Sequence, residues 1–281
     1  MEAQTFGMAP TKPSPLEEKK AQVEAVRELQ KITVNFDDEE DLEEKKRIFS
    51  VFGLKNDGKT AICYGIPEEG SKIMVLSFDN KSSRPKDLPF IQAGNLTIKV
   101  FNAIKHLDKS TPDTYQATSE VTLQYVHQLI EQAKEKFAPD YIVVDGTEVV
   151  SQIAEQVMRL RNNLRPYQGI TNLNVWKERK QYLDDLHNQC CKAAGKGVIY
   201  TMYTEKDQII DKDGVVIRSK DIPKWTGSIM QETDVTIKAD TMFDGDKRMH
   251  YAYIESKLPM EFPNGRFDVT NKRLREVVSS L

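Results

Sequence analysis

The sequence predicts an α/β fold, a mostly parallel sheet with helices on both faces and an antiparallel extension toward its C-terminus. Two observations predict it. Short apolar runs such as KIMVLSF and DYIVVDG alternate with stretches whose apolar residues recur at helical spacing, and strands of that kind belong in a sheet covered on both sides. After Gln231 the texture shifts to DVTIKAD and MHYAYIESK, short strands joined across TMFDGDKR, where Asp244 and Gly245 supply hairpin-turn chemistry.

The elements follow in order. RIFSVFG is an apolar run that ends at a glycine-rich loop, and KTAICYGI leaves that loop as a helix. KIMVLSF is a second buried strand and LTIKVFNAI a third extended run. TSEVTLQYVHQLIEQAKEKF places Val126, Leu129, Ile130, Ala133 and Phe137 at helical spacing, and PDYIVVDG is a strand with a proline start and a glycine stop. NVWKERKQYLDDLHNQCCKAAGKG is a helix ended by glycine, followed by the strand VIYTMY. Upstream, residues 1–14 are rich in Pro, Thr and Ser and are expected to be disordered. LEEKKAQVEAVRELQKI then reads as a helix, and FDDEEDLEEKK as an acidic linker. The expected organisation is an N-terminal segment over residues 1–45 and one domain over residues 46–281.

A chain of 281 residues with 39% hydrophobic content is long enough for one sizeable core. Its formal net charge of −3 means that an anionic partner would have to be met by a local basic patch. Cys63, Cys190 and Cys191 form no disulfide framework and have no second Cys/His pair at metal-ligand spacing. There is neither a secretory pattern at the N-terminus nor an apolar run of about 18 residues. The expectation is a soluble cytoplasmic protein with no membrane contact. His106, His127, His187 and His250 are isolated in sequence and suggest no zinc site, and no Gly-x-Ser-x-Gly elbow is present.

The chemistry concentrates in VFGLKNDGKT. Gly53, Gly58, Lys59 and Thr60 fit G-x-x-x-x-G-K-[S/T], with an apolar strand running in and a helix running out. In that arrangement the amides from Gly53 through Asn56, Asp57, Gly58, Lys59, Thr60 and Ala61 would cradle phosphates. Lys59 would reach the β- and γ-phosphates and Thr60 a magnesium ion. Asp145, at the end of DYIVVDG, stands where a second magnesium-side ligand belongs, since open α/β sheets bind ligands beyond the carboxyl ends of their strands. Asp79, at the end of KIMVLSFD, and Glu148, just past Asp145, compete for the role of general base. The nearest string to a guanine-reading N/T-K-x-D signature is Thr204 to Asp207, TEKD, with its lysine one place late. ATP is therefore favoured over GTP.

Together with SFDN, NVWKERKQYLDDLHNQC, VIYTMYTEK and ESKLP, these motifs resemble the RecA-like P-loop ATPases over about residues 46 to 275. The nearest likeness is to the single-domain RecA-like recombination ATPases of phages and archaeal elements, relatives of RecA, RadA and KaiC. The resemblance implies a RecA-like P-loop NTPase core, ATP and Mg2+ as cofactors, and Asp145 as the Walker B carboxylate. It places the catalytic acid, usually glutamate, on Asp79, one methylene shorter, and a γ-phosphate sensor on Thr201 or Thr204. It also implies a homo-oligomeric ring or filament in which a basic residue, Lys257 or Arg266 here, reaches the neighbour's ATP. Single-stranded DNA would be held by two loops. The first, RLRNNLRPYQGITNLNVWKERK, carries Arg161, Arg165, Tyr167 and Trp176; the second, TEKDQIIDKDGVVIRSKDIPKW, carries Lys206, Arg218, Lys220, Lys224 and Trp225. The rival expectation is a KaiC-like nucleotide-gated assembly whose partner is a protein, docked through the acidic N-terminal arm.

Overall fold

The computed structural model describes residues 46–79, 82–210, 216–224 and 229–280. The side chains of Ile210, Arg218 and Met230 lie outside this description, as do the expected N-terminal helix, the acidic linker and Trp225.

RIFSVFG forms β1 (Arg47–Gly53), buried from Ile48 onward. Its side chains divide between two cores, Ile48 and Phe52 entering one and Phe49 and Val51 the other. A strand packed on both faces has no use for polar alternation, which is why these runs read as continuously apolar. The chain continues through α1 (Lys59–Gly65), β2 (Lys72–Ser77), a 3-10 turn at Arg84–Asp87, the single-turn α2 (Pro89–Gln92) and β3 (Thr97–Asn102). Next come α3 (Pro112–Lys136), β4 (Tyr141–Asp145), α4 (Thr147–Arg161), α5 (Val175–Ala193), β5 (Gly197–Ile210) and β6 (Val216–Pro223). After the short α6 (Ile229–Glu232), β7 (Val235–Asp244), β8 (Lys247–Ser256), β9 (Gly265–Asp268) and α7 (Leu274–Ser279) complete the domain.

The strands form one sheet in the order β3-β2-β4-β5-β1-β7-β8-β9, with β6 paired to β5 alone. All pairings from β3 across to β7 are parallel. Helices α3, α4 and α5 cover one face, through Val126, Ile130, Val157 and Leu186. Helices α1 and α7, with Phe262 and Val269, cover the other. A threonine cap starts α3: the Thr111 hydroxyl accepts from Thr114 N at 3.1 Å, with Pro112 next in the chain.

The antiparallel extension is present as expected: β7 lies parallel to β1, β8 runs antiparallel to β7, and β9 antiparallel to β8. The structure corrects the sequence reading at two places. TEKDQII is not loop but the second half of β5, paired with β6 as a ribbon in the register Lys206↔Asp221 and Asp207↔Lys220. Finally, the segment after β4 folds as α4, so that Arg161 closes a helix instead of standing in a loop.

Candidate functional site

Because β1, β2, β4 and β5 run the same way, their carboxyl ends meet along one edge, with Gly53 beside Tyr203 and Ser77 beside Asp145. The loop from β1 to α1 lies on that edge and turns through left-handed residues, Asn56 at φ 73° and Gly58 at φ 82°. Asparagine tolerates that region and glycine enters it without a Cβ penalty. Gly53 is required for a different reason, since a Cβ there would stand 2.6 Å from the Ala239 carbonyl oxygen of β7. Asp57 Oδ2 closes the loop by accepting from Leu54 N at 2.7 Å.

Lys59 folds back along this loop. Its Nζ donates to the carbonyls of Gly53 at 3.1 Å and Leu54 at 2.6 Å, and lies 4.8 Å from the Tyr203 ring centroid. Burial pulls the ammonium below its ordinary value, opposed by the charges of Asp57, Glu148 and Asp145.

Asp145 is 3% exposed and accepts three hydroxyl hydrogen bonds, from Thr60 at 3.0 Å, Ser82 at 2.6 Å and Thr201 at 2.6 Å. Burial pushes its carboxyl above the usual range, while the hydroxyls of Ser82 and Thr201 act the other way. Glu148, in the first turn of α4, accepts from Tyr203 N, and burial raises its carboxyl too. These groups border a cleft of about 460 Å³ whose lining includes Lys59, Thr60, Ala61, Asp79, Asp145 and Glu148. Arg84, Thr201 and Tyr203 also line it, as do Arg248 and His250 from β8.

The fold is α/β, a mostly parallel sheet with helices on both faces and an antiparallel C-terminal extension. A strand, β5, separates β1, which feeds the glycine-rich loop, from β4, which ends in Asp145, and the loop and the acid meet at the carboxyl edge. No protein-family model matches the chain, and no curated protein matches it in sequence. Among solved structures, a KaiC-like protein from the hyperthermophilic archaeon Pyrococcus horikoshii aligns with a TM-score of 0.41 and 11% identity. That alignment covers 81% of this chain and 87% of the other.

Of the remaining expected site residues, Thr201 joins the cleft and the others lie away from it. Thr201 spends its hydroxyl on Asp145 and accepts from Gly146 N at 2.9 Å, and Thr204 does not line the cleft. Lys257 Nζ donates to the Gln231 carbonyl at 3.2 Å, and Arg266 lies 3.8 Å over the Tyr251 ring, both away from the cleft lining of their own chain. Arg161 pairs with Glu120 at 3.0 Å and Lys220 with Glu255 at 3.0 Å. Arg165 is exposed beyond α4, and Arg218 stands opposite Ile209 on the ribbon. Sequence reasoning missed Ser82, Arg248 and His250. The period of a strand puts Arg248 and His250 on one face of β8, but nothing local says that this face meets the Gly53–Ala61 loop.

Among the described residues no group of three His, Cys, Asp or Glu side chains could hold a metal ion. One hydroxyl and one carboxylate, Thr60 and Asp145, fit magnesium, which takes few protein ligands and fills its shell with phosphate oxygens and water. No helix is long and apolar enough to cross a membrane among the described residues.

Proposed function

We propose that this chain binds ATP with magnesium at the Gly53–Ala61 loop and hydrolyses it, as a nucleotide-gated RecA-like ATPase that works in a homo-oligomer on a protein partner. The observation that carries the nucleotide reading is the 3.0 Å contact between the Thr60 hydroxyl and the Asp145 carboxylate, groups 85 residues apart in sequence. Two motifs that each point to a triphosphate thereby converge on one edge of the sheet. Lys59 would exchange the carbonyls of Gly53 and Leu54 for phosphate oxygens, a trade favoured because its charge is held in a partly desolvated loop. Thr60 and Asp145 would hold the magnesium ion, which when bound neutralises charge between the β- and γ-phosphates. Asp79, at the cleft wall, would orient the attacking water; Glu148, which accepts from the Tyr203 amide, is the competing candidate.

A protein partner is favoured over DNA by the ion pairing of the basic side chains. Arg161 is paired with Glu120 and Lys220 with Glu255, while Lys206 and Lys238 share Asp221. Cations neutralised by carboxylates release few counterions and make a poor phosphate track. The second reading, a recombination, annealing or repair ATPase on single-stranded DNA, is supported by the exposed Arg165 and by Tyr167, which is 82% exposed beside it.

The test is ATP turnover measured without polymer and with single-stranded DNA, double-stranded DNA or RNA, alongside size-exclusion with and without ATP. The expected result is magnesium-dependent turnover that Lys59→Ala abolishes, an ATP-dependent oligomer, and no stimulation by any polynucleotide. Stimulation by single-stranded DNA would replace the protein partner with the second reading, and turnover unaffected by Lys59→Ala would remove the site.

A further inference from the structure

Arg248 reaches the phosphate loop from its own chain. It stands on β8 opposite Phe243, and its Nη2 donates to the carbonyl of Asn56, a loop residue held at φ 73°. That acceptor is neutral, so the guanidinium charge is uncompensated by this contact. The same side chain lines the cleft that contains Lys59, Thr60, Asp79 and Asp145.

The position is not incidental, because the hairpin that carries Arg248 is locked to the loop. β7 pairs in parallel with β1 up to Phe52↔Lys238, one residue before the loop begins, and the Ala239 carbonyl comes so close to Gly53 that a Cβ there would stand only 2.6 Å from it. Two residues beyond Arg248, the His250 ring packs against Gly58, its Nδ1 3.2 Å from where a Cβ would lie. His250 is fixed in turn by Thr241 Oγ1 at 3.2 Å and by donation from its backbone N to Thr270 Oγ1 at 2.8 Å. A cation mounted on this support needs no rearrangement of the backbone to face an anion in the loop.

We infer that Arg248 is a phosphate-binding residue acting in cis, on the nucleotide held by the loop of its own chain. This rests on the ATP reading given above. The guanidinium exchanges the Asn56 carbonyl for phosphate oxygens, where its planar fork can donate two hydrogen bonds at once. As charge builds on the phosphoryl oxygens and the leaving group, a fixed cation stabilises the transition state more than the bound ATP. Lys257 and Arg266, the residues expected to serve a neighbour, are engaged elsewhere: Lys257 with the Gln231 carbonyl, and Arg266 with the rings of Tyr251 and Tyr253.

The experiment compares wild type, Arg248→Ala, Arg248→Lys and Lys59→Ala for ATP turnover and for the ATP-induced rise in thermal midpoint. It then mixes Arg248→Ala with Lys59→Ala. The expected result is turnover reduced by about 10³-fold in Arg248→Ala, with the nucleotide-free midpoint unchanged, the ATP-induced rise diminished and part of the rate restored by lysine. The mixture stays inactive, because neither chain carries both groups. Activity regained on mixing would show that Arg248 serves a neighbouring chain and overturn the cis assignment. Wild-type turnover in Arg248→Ala, or a lowered nucleotide-free midpoint with an intact ATP-induced rise, would overturn it as well by leaving Arg248 only a structural part. A wild type that neither binds nor hydrolyses ATP removes the nucleotide reading itself, an outcome separate from these.

Discussion

At the scale of single residues, the loop depends on positions whose replacement is costly for stated reasons. Gly58 combines φ 82° with the His250 ring at its back, 3.2 Å from the place of a Cβ. Gly58→Ala is expected to lower stability by about 1–2 kcal/mol from backbone strain alone, read as a denaturation midpoint. An unchanged midpoint would mean that the loop relaxes into another turn. His250 has a second consequence. Burial, helped by the charge of Arg248, lowers its pKa from 6.5, while Asp57 and Asp268 pull the other way. The unfolded chain takes up the proton as pH falls through about 6.5, and the folded chain resists it until lower pH. The contribution of His250 to stability is therefore complete above that value and falls away below it. Thermal midpoints of wild type should drop between about pH 7.5 and about pH 5.5, and His250→Gln should remove part of that slope. Equal slopes in the two proteins would count against it.

At the scale of elements, the β5–β6 ribbon is tied to the sheet by charge. Asp221 on β6 pairs with Lys206 on β5 and with Lys238 on β7, the latter at 2.7 Å. With Lys206 exposed and Lys238 half-buried, Asp221→Asn is expected to change global stability by about 1 kcal/mol, yet to speed hydrogen exchange of the ribbon amides. Exchange as slow as in wild type would show that the ladder alone holds the ribbon. This ribbon also marks where the sequence stops being legible. The buried strands announced themselves because Phe49, Val51, Ile142, Val144 and their neighbours are apolar on both faces. From Glu205 to Ile209 every side chain is exposed, so no hydrophobic alternation marks TEKDQII as a strand, and it reads as loop. Helix α4 is a different case, because Val150, Ile153, Ala154, Val157 and Met158 recur at helical spacing, and that pattern was available to be read. Within the site, Lys59, Thr60 and Asp145 follow from local motif and strand-end position. Arg248 and Ser82 arrive through tertiary contacts that no local pattern records.

At the scale of the whole molecule, the central strand β1 joins two cores and the loop, so packing and chemistry share one element. Phe49 is fully buried, with its ring 5.2 Å from that of Phe262 in an edge-to-face arrangement. Phe49→Ala should cost about 3–5 kcal/mol, seen as a fall in the denaturant midpoint, and saturating ATP should recover part of it in a chain whose loop is intact. No recovery by ATP would separate the loop from the core that supports it. β5 has a wider consequence. One strand runs from between β1 and β4 out past the sheet edge to Ile210, and Tyr203, where it leaves, touches both Glu148 and Lys59. The stretch from Thr204 to Ile210 is a cantilever of roughly 23 Å at about 3.3 Å per residue. Its root stands at the cleft beside Lys59 and Glu148, so a tilt of about 10° there would sweep the tip through roughly 4 Å of solvent.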